Sequence, residues 1–234
     1  MNRYPVICVL LLIVLCFCGC TQETTLTSSS QPDQISQPQS QVEDSTIPMP
    51  ATMTFGSYYS YKNGLTDKSL EDITWYILAE ENNKLLLCSK QALFHGKFHS
   101  KTTEKVTWST SELREKLNNE FYNIAFSDTQ KQRICNTQLN DSNTTDKVFL
   151  LSQQEADTYM PESVKYNCQV KEYMQKMNLI PTYGENHACK WWLRSAGTES
   201  EYIRYMGYNN QHQTTQGTPN NTLGVRPAIW ITKE

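Results

Sequence analysis

Two arginines near the C-terminus lie among large apolar residues. Arg194 belongs to the stretch WWLRS, which opens with Trp191 and Trp192, and Arg226 belongs to GVRPAIWI at 224–231. Both stretches have the composition of buried strands, and a buried guanidinium needs carboxylate or carbonyl partners. The arginines therefore form either a clamp for an anionic ligand or, as this composition favours, ion pairs that tie strands to helices. The candidate carboxylate partners are Glu112, Asp146 and Glu155.

Four of the eight cysteines lie beyond the N-terminal region, at positions 88, 135, 168 and 189. Four cysteines allow three disulfide connectivities. We favour a Cys168–Cys189 disulfide, because this pair brackets one predicted helix and its second member lies close to Trp191. A thiolate nucleophile is the alternative, with Cys189 assisted by His187 or His212.

A metal site is the chemistry to consider for His95 and His99. Two histidines four residues apart share one face of a helix and can share a metal. Gly96 disfavours that helix, and no carboxylate or cysteine is near in sequence, so we expect exposed loop histidines and no metal. Motifs for nucleophilic serine, zinc peptidase, phosphate-loop or dinucleotide chemistry are absent from the sequence, so no cofactor is predicted.

Aromatic residues are abundant, with thirteen tyrosines and five tryptophans. Aromatic faces stack on sugars and amide side chains bond sugar hydroxyls, which makes Tyr208, Asn209 and the polar loop at 209–222 candidates for glycan binding. The alternative is that the aromatic rings pack the core and the amides are solvated.

The N-terminus predicts where the protein is located. An apolar run from Val6 to Cys18 would span only about 20 Å as a helix, short of the roughly 30 Å of a bilayer core, and this favours a signal peptide. Gly19-Cys20 resembles the cleavage site of bacterial lipoproteins, although Phe17-Cys18 departs from the commoner residues there. The resemblance implies a signal peptide at 1–19 and a diacylglycerol on Cys20, which would anchor the protein on the extracytoplasmic face of the cell membrane. A plain secretory signal or an uncleaved anchor is the alternative.

Residues 20–51 are predicted to be a disordered tether. They are rich in Ser, Gln, Thr and Pro and poor in large apolar residues, so they cannot bury enough surface to offset their ordering entropy. Residues 54–234 carry 20 basic and 20 acidic side chains and contain no basic run. This balance gives no electrostatic reason to bind nucleic acid.

Residues 52–234 are predicted to be a single α+β domain, mostly antiparallel sheet with several short helices. The predicted strands are 52–61 with a bend at Gly56 and a following turn at 63–64, 73–78 paired with 84–89, 146–151, 191–195, 202–206 and 224–231, whereas 91–106 is predicted to be irregular. Helices are expected after the capping-box pairs 109/112, 127/130 and 152/155, and over 170–177. Leu113, Leu117 and Phe121 recur every four residues and predict a buried helical stripe.

These segments resemble a bacterial family of surface domains, the domain of unknown function 6273. The resemblance spans roughly residues 54–232 and is strongest at WWLRS (191–195) and GVRPA (224–228). It implies a fold but no activity. The segments are more loosely similar to the C-type-lectin-like and formylglycine-generating-enzyme folds, and this similarity implies a fold of that type. The copper-binding cysteine pair of the formylglycine-generating oxidases has no match here.

The function expected from these features is a lipid-anchored binding or adhesion module for a glycan, a cell-wall component or a surface protein. Two alternatives remain open at this point. One is an enzyme of the formylglycine-generating or cysteine-hydrolase type, and the other is a structural envelope protein.

Overall fold

The computed structural model describes residues 47–62, 65–102, 105–184, 186–199, 201–207 and 214–234. The predicted signal peptide, Cys20, residues 20–46 of the tether, the turn at 63–64, Tyr208, Asn209 and His212 lie outside these residues, so their predictions stay predictions. None of the helices in the described ranges is long and apolar enough to cross a membrane.

Strands dominate the described part of the chain. They are β1 (Thr52–Lys62), β2 (Asp67–Glu81), β3 (Lys84–Ser89), β4 (Phe94–Gly96), β5 (Thr137–Leu139), β6 (Thr144–Asp146), β7 (Thr182–Tyr183), β8 (Ala188–Cys189), β9 (Trp191–Ala196), β10 (Ile203–Met206), β11 (Thr215–Gly217), β12 (Leu223–Val225) and β13 (Ala228–Thr232). Among these, β5 pairs with β6 and β7 with β8 in separate two-stranded ladders.

The first large sheet has the order β1-β2-β3-β13 and is antiparallel throughout. Asn82 and Asn83 connect β2 to β3 with φ values of 48° and 61°, the left-handed conformation that a two-residue hairpin turn requires. Gly56 has φ 70° and lies at a register shift in β1, where an added Cβ would approach the carbonyl oxygen of Ala125 to 2.5 Å. The predicted bend and hairpin are thus confirmed.

The second large sheet has the order β11-β10-β9-β12-β4. Its strands pair antiparallel except for β9 and β12, which run parallel. Two of its strands, β4 and β11, fall in segments that were predicted to be irregular or loop. Their three-residue length leaves too few positions for a visible alternation of apolar and polar residues.

The chain crosses from the second sheet to the first at Arg226 and Pro227. The prediction of one continuous strand over 224–231 is wrong, because β12 ends before Arg226 and β13 begins after Pro227. Proline has no backbone N–H to donate to a ladder, so it ends the pairing of β12 and lets β13 join β3 instead. Arg226 therefore lies at the junction of the two sheets.

The helices are short, and serine side chains cap the first turns of three of them. They are a 3₁₀ turn (Trp108–Thr110), α1 (Glu112–Lys116), a π-helical turn (Leu117–Phe121), α2 (Tyr122–Ala125), α3 (Asp128–Arg133), α4 (Gln153–Tyr159), α5 (Glu162–Tyr166) and α6 (Glu172–Lys176). The side chains of Ser127 and Ser152 cap α3 and α4 as predicted. The capping box expected at Ser109 is wrong, because Ser111 accepts the hydrogen bond from the backbone N–H of Arg114 and caps α1.

One hydrophobic core joins the sheets and helices. The predicted stripe of Leu113, Leu117 and Phe121 is buried in it. The strand predicted at 146–151 is wrong for most of its length, since β6 ends at Asp146 and the following apolar residues 148–151 are buried as irregular chain with a single bridge from Phe149 to Ala228. The α+β prediction with mostly antiparallel sheets is confirmed.

Candidate functional site

Two adjoining cavities lie between the β1–β2 hairpin on one side and β4, α1 and α6 on the other. They share Tyr61, Leu65 and Tyr173 in their linings, and we call them together the tyrosine cleft. Their volumes are about 460 and 490 Å³, within the range of roughly 300–1,000 Å³ that is usual for small-molecule sites. The cleft is therefore large enough for a ligand of one to a few sugar rings.

Aromatic rings form much of the second cavity, whose volume is about 490 Å³. Tyr58 and Phe94 are buried at its base, with ring centroids 5.6 Å apart, and Tyr58 packs at a tilt against Phe121 of the core, with centroids 4.8 Å apart. Tyr59 lies 5.1 Å from the ring of Tyr58. These contacts fix the base of the cavity to the core, which gives a ligand a rigid apolar surface.

The rings of Tyr61 and Tyr173 pack 5.1 Å apart, at the boundary of the two cavities. Tyr173 comes from α6 and is buried, whereas Tyr61 comes from β1 and is half-buried. Two of the exposed large apolar side chains among the described residues, Leu65 and Met177, also line the first cavity. Exposed apolar groups beside a concave surface are typical of binding sites.

Burial sets the protonation of the groups in the cleft. It raises the pKa of Tyr58, an effect to which the charge of Glu120 adds, and it raises the pKa of Tyr173 to about 12. Tyr58 and Tyr173 are thus neutral at physiological pH. Burial, together with the positive charge of Lys116, lowers the pKa of His95, so this imidazole is neutral as well.

Charged side chains surround the aromatic rings of the cleft. Burial raises the pKa of Glu71, but hydrogen bonds from Lys171 and Ser60 and the charges of Lys171 and Lys62 outweigh it, so the pKa is lowered overall. The Lys171 ammonium lies 3.1 Å from the Glu71 carboxylate. The cleft thus combines ring faces, hydroxyls and ionic groups.

Arg194 lies away from this cleft. Its guanidinium donates to both oxygens of Asp141 at 3.0 Å, to both oxygens of Glu155 at 2.5 and 2.8 Å, and to the carbonyl of Leu150 at 2.8 Å. Burial alone would lower the pKa of Arg194, but the two carboxylates outweigh this effect and raise the pKa overall. Glu155 was among the predicted partners, and Asp141 was not. All three guanidinium nitrogens are engaged in these bonds, so Arg194 ties β9 to α4.

The other two predicted carboxylate partners are engaged elsewhere. Asp146 accepts from the indole of Trp108 at 2.8 Å and pairs with Arg114 at 2.7 Å. Glu112 accepts from the backbone N–H and the hydroxyl of Ser100.

Arg226 is fully buried and has no ion pair with a carboxylate of the described residues. It donates to the carbonyls of Ser89 at 2.9 Å and Val164 at 3.2 Å, and its guanidinium lies 4.5 Å from the ring centroid of Trp191. Its Nη2 has no hydrogen-bond partner in the described structure. Arg226 lines neither cavity of the cleft. Its contacts instead hold the sheet junction together.

Trp191 and Trp192 are both completely buried in β9. The indole of Trp191 donates to the carbonyl of Lys165 at 2.9 Å, and that of Trp192 to the carbonyl of Gly96 at 3.0 Å. Their positions are those of core residues with satisfied polar atoms.

Cys168 and Cys189 lie next to each other, as the predicted pairing requires. Their sulfurs are 3.9 Å apart, further than the roughly 2.05 Å of a disulfide bond, so the pair is described as two thiols and the disulfide stays a prediction. Contact with Cys168, followed by burial, raises the pKa of Cys189 well above its usual range. A buried thiol that is hard to ionise is poorly suited to be a nucleophile.

The two histidines considered for a metal site belong to different environments. His95 lies in β4 and is half-buried, rather than in an exposed loop as predicted, and its Nδ1 lacks a partner in the described structure. The Nδ1 of His99 accepts from the backbone N–H of Glu112 at 3.3 Å. Within the described ranges, no group of three or more His, Cys, Asp or Glu side chains could hold a metal ion.

The tyrosine cleft was not predicted from the sequence. Its aromatic residues come from β1, β4 and α6, and the partners Tyr61 and Tyr173 are far apart in sequence. The only local signal was the density of tyrosines at 58, 59 and 61.

Searches of curated proteins and of solved structures found no match for this chain. The similarity to C-type-lectin-like folds therefore stays a prediction. A family model, domain of unknown function DUF6273, matches residues 82–233. The match begins later than the expected residue 54, so all of β1 and β2 precede it and the cleft has one wall outside the matched region. Because the match covers more than half of the sequence, the chain belongs to the DUF6273 family.

Proposed function

We propose that the protein is a non-catalytic binding module, lipid-anchored on the extracytoplasmic face of the membrane, whose tyrosine cleft binds a saccharide of the cell wall or of a surface glycan. The cleft is the observation that carries the proposal. Sugars present apolar C–H faces that pack on aromatic rings and hydroxyls that need polar partners. Tyr59 and Tyr61 offer both, with the buried ring of Tyr173 behind Tyr61 and polar side chains such as Gln91 around them.

The predicted tether supports this function. A disordered chain of about thirty residues has an r.m.s. reach of roughly 30 Å, enough to hold the domain away from the membrane surface. A module with this reach would contact polymers of the envelope without leaving the cell.

A Tyr61→Ala substitution is expected to weaken saccharide binding at least tenfold. Tyr61 contributes to both cavities, and the loss of a central aromatic contact typically costs 1–2 kcal/mol or more in binding. The measurement is a glycan array followed by pull-down on isolated cell walls, with the full-length protein in detergent.

Tyr159→Ala is the matched control, because Tyr159 is also half-buried against the core but lines neither cavity of the cleft. It should bind as the wild type does. Absence of binding to every glycan and to cell walls would contradict the proposed function. Equal losses in both variants would place the ligand elsewhere.

Lipid anchoring is tested at Cys20. A Cys20→Ser variant should lose incorporation of labelled fatty acid and should leave the membrane fraction, because the sulfur that carries the diacylglycerol is gone. Cys18→Ser, which removes a neighbouring cysteine of the same segment, should remain labelled. Undiminished labelling of Cys20→Ser would contradict the predicted cleavage site.

A further inference from the structure

We infer that the saccharide bound in the tyrosine cleft is acidic and carries a carboxylate on its sugar ring. This inference rests on the proposed function and adds the chemical class of the ligand. It follows from the charges that line the cleft and from the way its lysines are held.

The cleft has more positive than negative side chains. In the first cavity, Lys171 pairs with Glu71 and Lys176 with Glu172, which leaves Lys62 without an ion pair in the described residues. In the second cavity, Lys68 and Lys116 face a single carboxylate, that of Glu120. Each cavity therefore carries one positive charge in excess, although residues 54–234 as a whole are balanced.

The lysines of the second cavity are held by aromatic rings rather than by carboxylates. The Lys68 ammonium lies 3.3 Å from the ring centroid of Tyr59, and the Lys116 ammonium lies 4.9 Å from that of Phe94. Such contacts are weak where water has access. A ligand carboxylate would draw either ammonium into a stronger, charge-assisted hydrogen bond at little cost.

Lys116 is the more constrained of these two lysines. It is half-buried on α1, and a saccharide that covered the second cavity would remove water from its ammonium. Removing water from a charge without a partner is costly, so a neutral sugar would be disfavoured where a carboxylate-bearing sugar would be stabilised. The same ring-and-ammonium arrangement receives the apolar face of the sugar and its charge together.

The lining favours carboxylate-bearing sugars over phosphodiesters, although both carry one negative charge per unit, because a glycerol-phosphate chain has no sugar ring to pack on the aromatic faces. No arginine belongs to the described lining of either cavity, and the planar guanidinium is the group that binds phosphate in a bidentate manner. Two adjoining cavities with one surplus charge each fit consecutive sugars that each carry one carboxylate.

The test compares three soluble probes on the full-length protein in detergent. They are oligogalacturonate, its methyl ester, which keeps the rings but removes the charge, and a glycerol-phosphate oligomer. By titration calorimetry at low salt, we expect the uronate to bind at least tenfold more tightly than its ester and than the phosphate oligomer. In Lys116→Gln, the ratio of uronate to ester affinity should fall at least threefold, while Lys62 and Lys68 retain part of the preference.

Lys131→Gln is the matched control, because the Lys131 ammonium also lies over a tyrosine ring, 5.4 Å from Tyr122, but outside the cleft. It should keep the wild-type ratio. If ester and uronate bind equally and Tyr61→Ala weakens both, the proposed function stands and the acidic ligand is refuted. Tighter binding of the phosphate oligomer also refutes the carboxylate. If no probe binds and the glycan array is also negative, the proposed function itself fails.

Discussion

Arg194→Ala should lower the free energy of unfolding by about 3–5 kcal/mol, the usual cost of removing one partner from a buried ion pair. Only 5% of the Arg194 side chain is exposed, and it neutralises both Asp141 and Glu155. Without it, Glu155 loses its ion-pair partner, and the carbonyl of Leu150 loses a donor. Since small domains have a total stability of only about 5–15 kcal/mol, much of the population would unfold at moderate temperature.

Urea denaturation of the full-length protein measures this change. Lys233→Ala is the control, because the Lys233–Glu80 ion pair is exposed and such pairs contribute about 0–1 kcal/mol. An equally small effect of both substitutions would show that the Arg194 ion pairs do not stabilise the fold.

Arg226→Ala is the second substitution with a large expected effect, again about 3–5 kcal/mol. It would leave an empty space over Trp191 and remove the donors to the carbonyls of Ser89 and Val164. Arg226→Met should cost far less, about 1–2 kcal/mol. Methionine fills most of the space. The substitution also removes the unpaired Nη2 and a buried positive charge that no described carboxylate neutralises.

The pair of variants separates packing from charge at the sheet junction. Both unfolding midpoints are read from the same urea series, and the difference between Ala and Met is the informative quantity. A methionine variant as unstable as the alanine variant would mean that the guanidinium itself, rather than its volume, holds the two sheets together.

The features that sequence predicted correctly depend on neighbouring residues. The hairpin at Asn82 and Asn83, and the helices capped by Ser127 and Ser152, are encoded by turn and capping residues within a few positions of each other. These signals act locally, so they survive the tertiary environment.

The features that were missed depend on distant residues. The strand predicted over 224–231 has a continuous apolar pattern, but it divides at Pro227 because β4 and β9 pair with one half and β3 with the other. The tyrosine cleft likewise exists only after folding brings Tyr61 beside Tyr173. The arginines were rightly identified as buried, but only packing decides that Arg194 meets two carboxylates and Arg226 meets carbonyl groups.

The crossing at Pro227 bears on when the protein can fold. β12 lies between β9 and β4, and β13 completes the edge of the first sheet, so neither large sheet is whole until the last dozen residues are available. The two large sheets therefore depend on one short segment for their completion. Their assembly is coupled, because a chain that lacks β12 and β13 can close neither sheet.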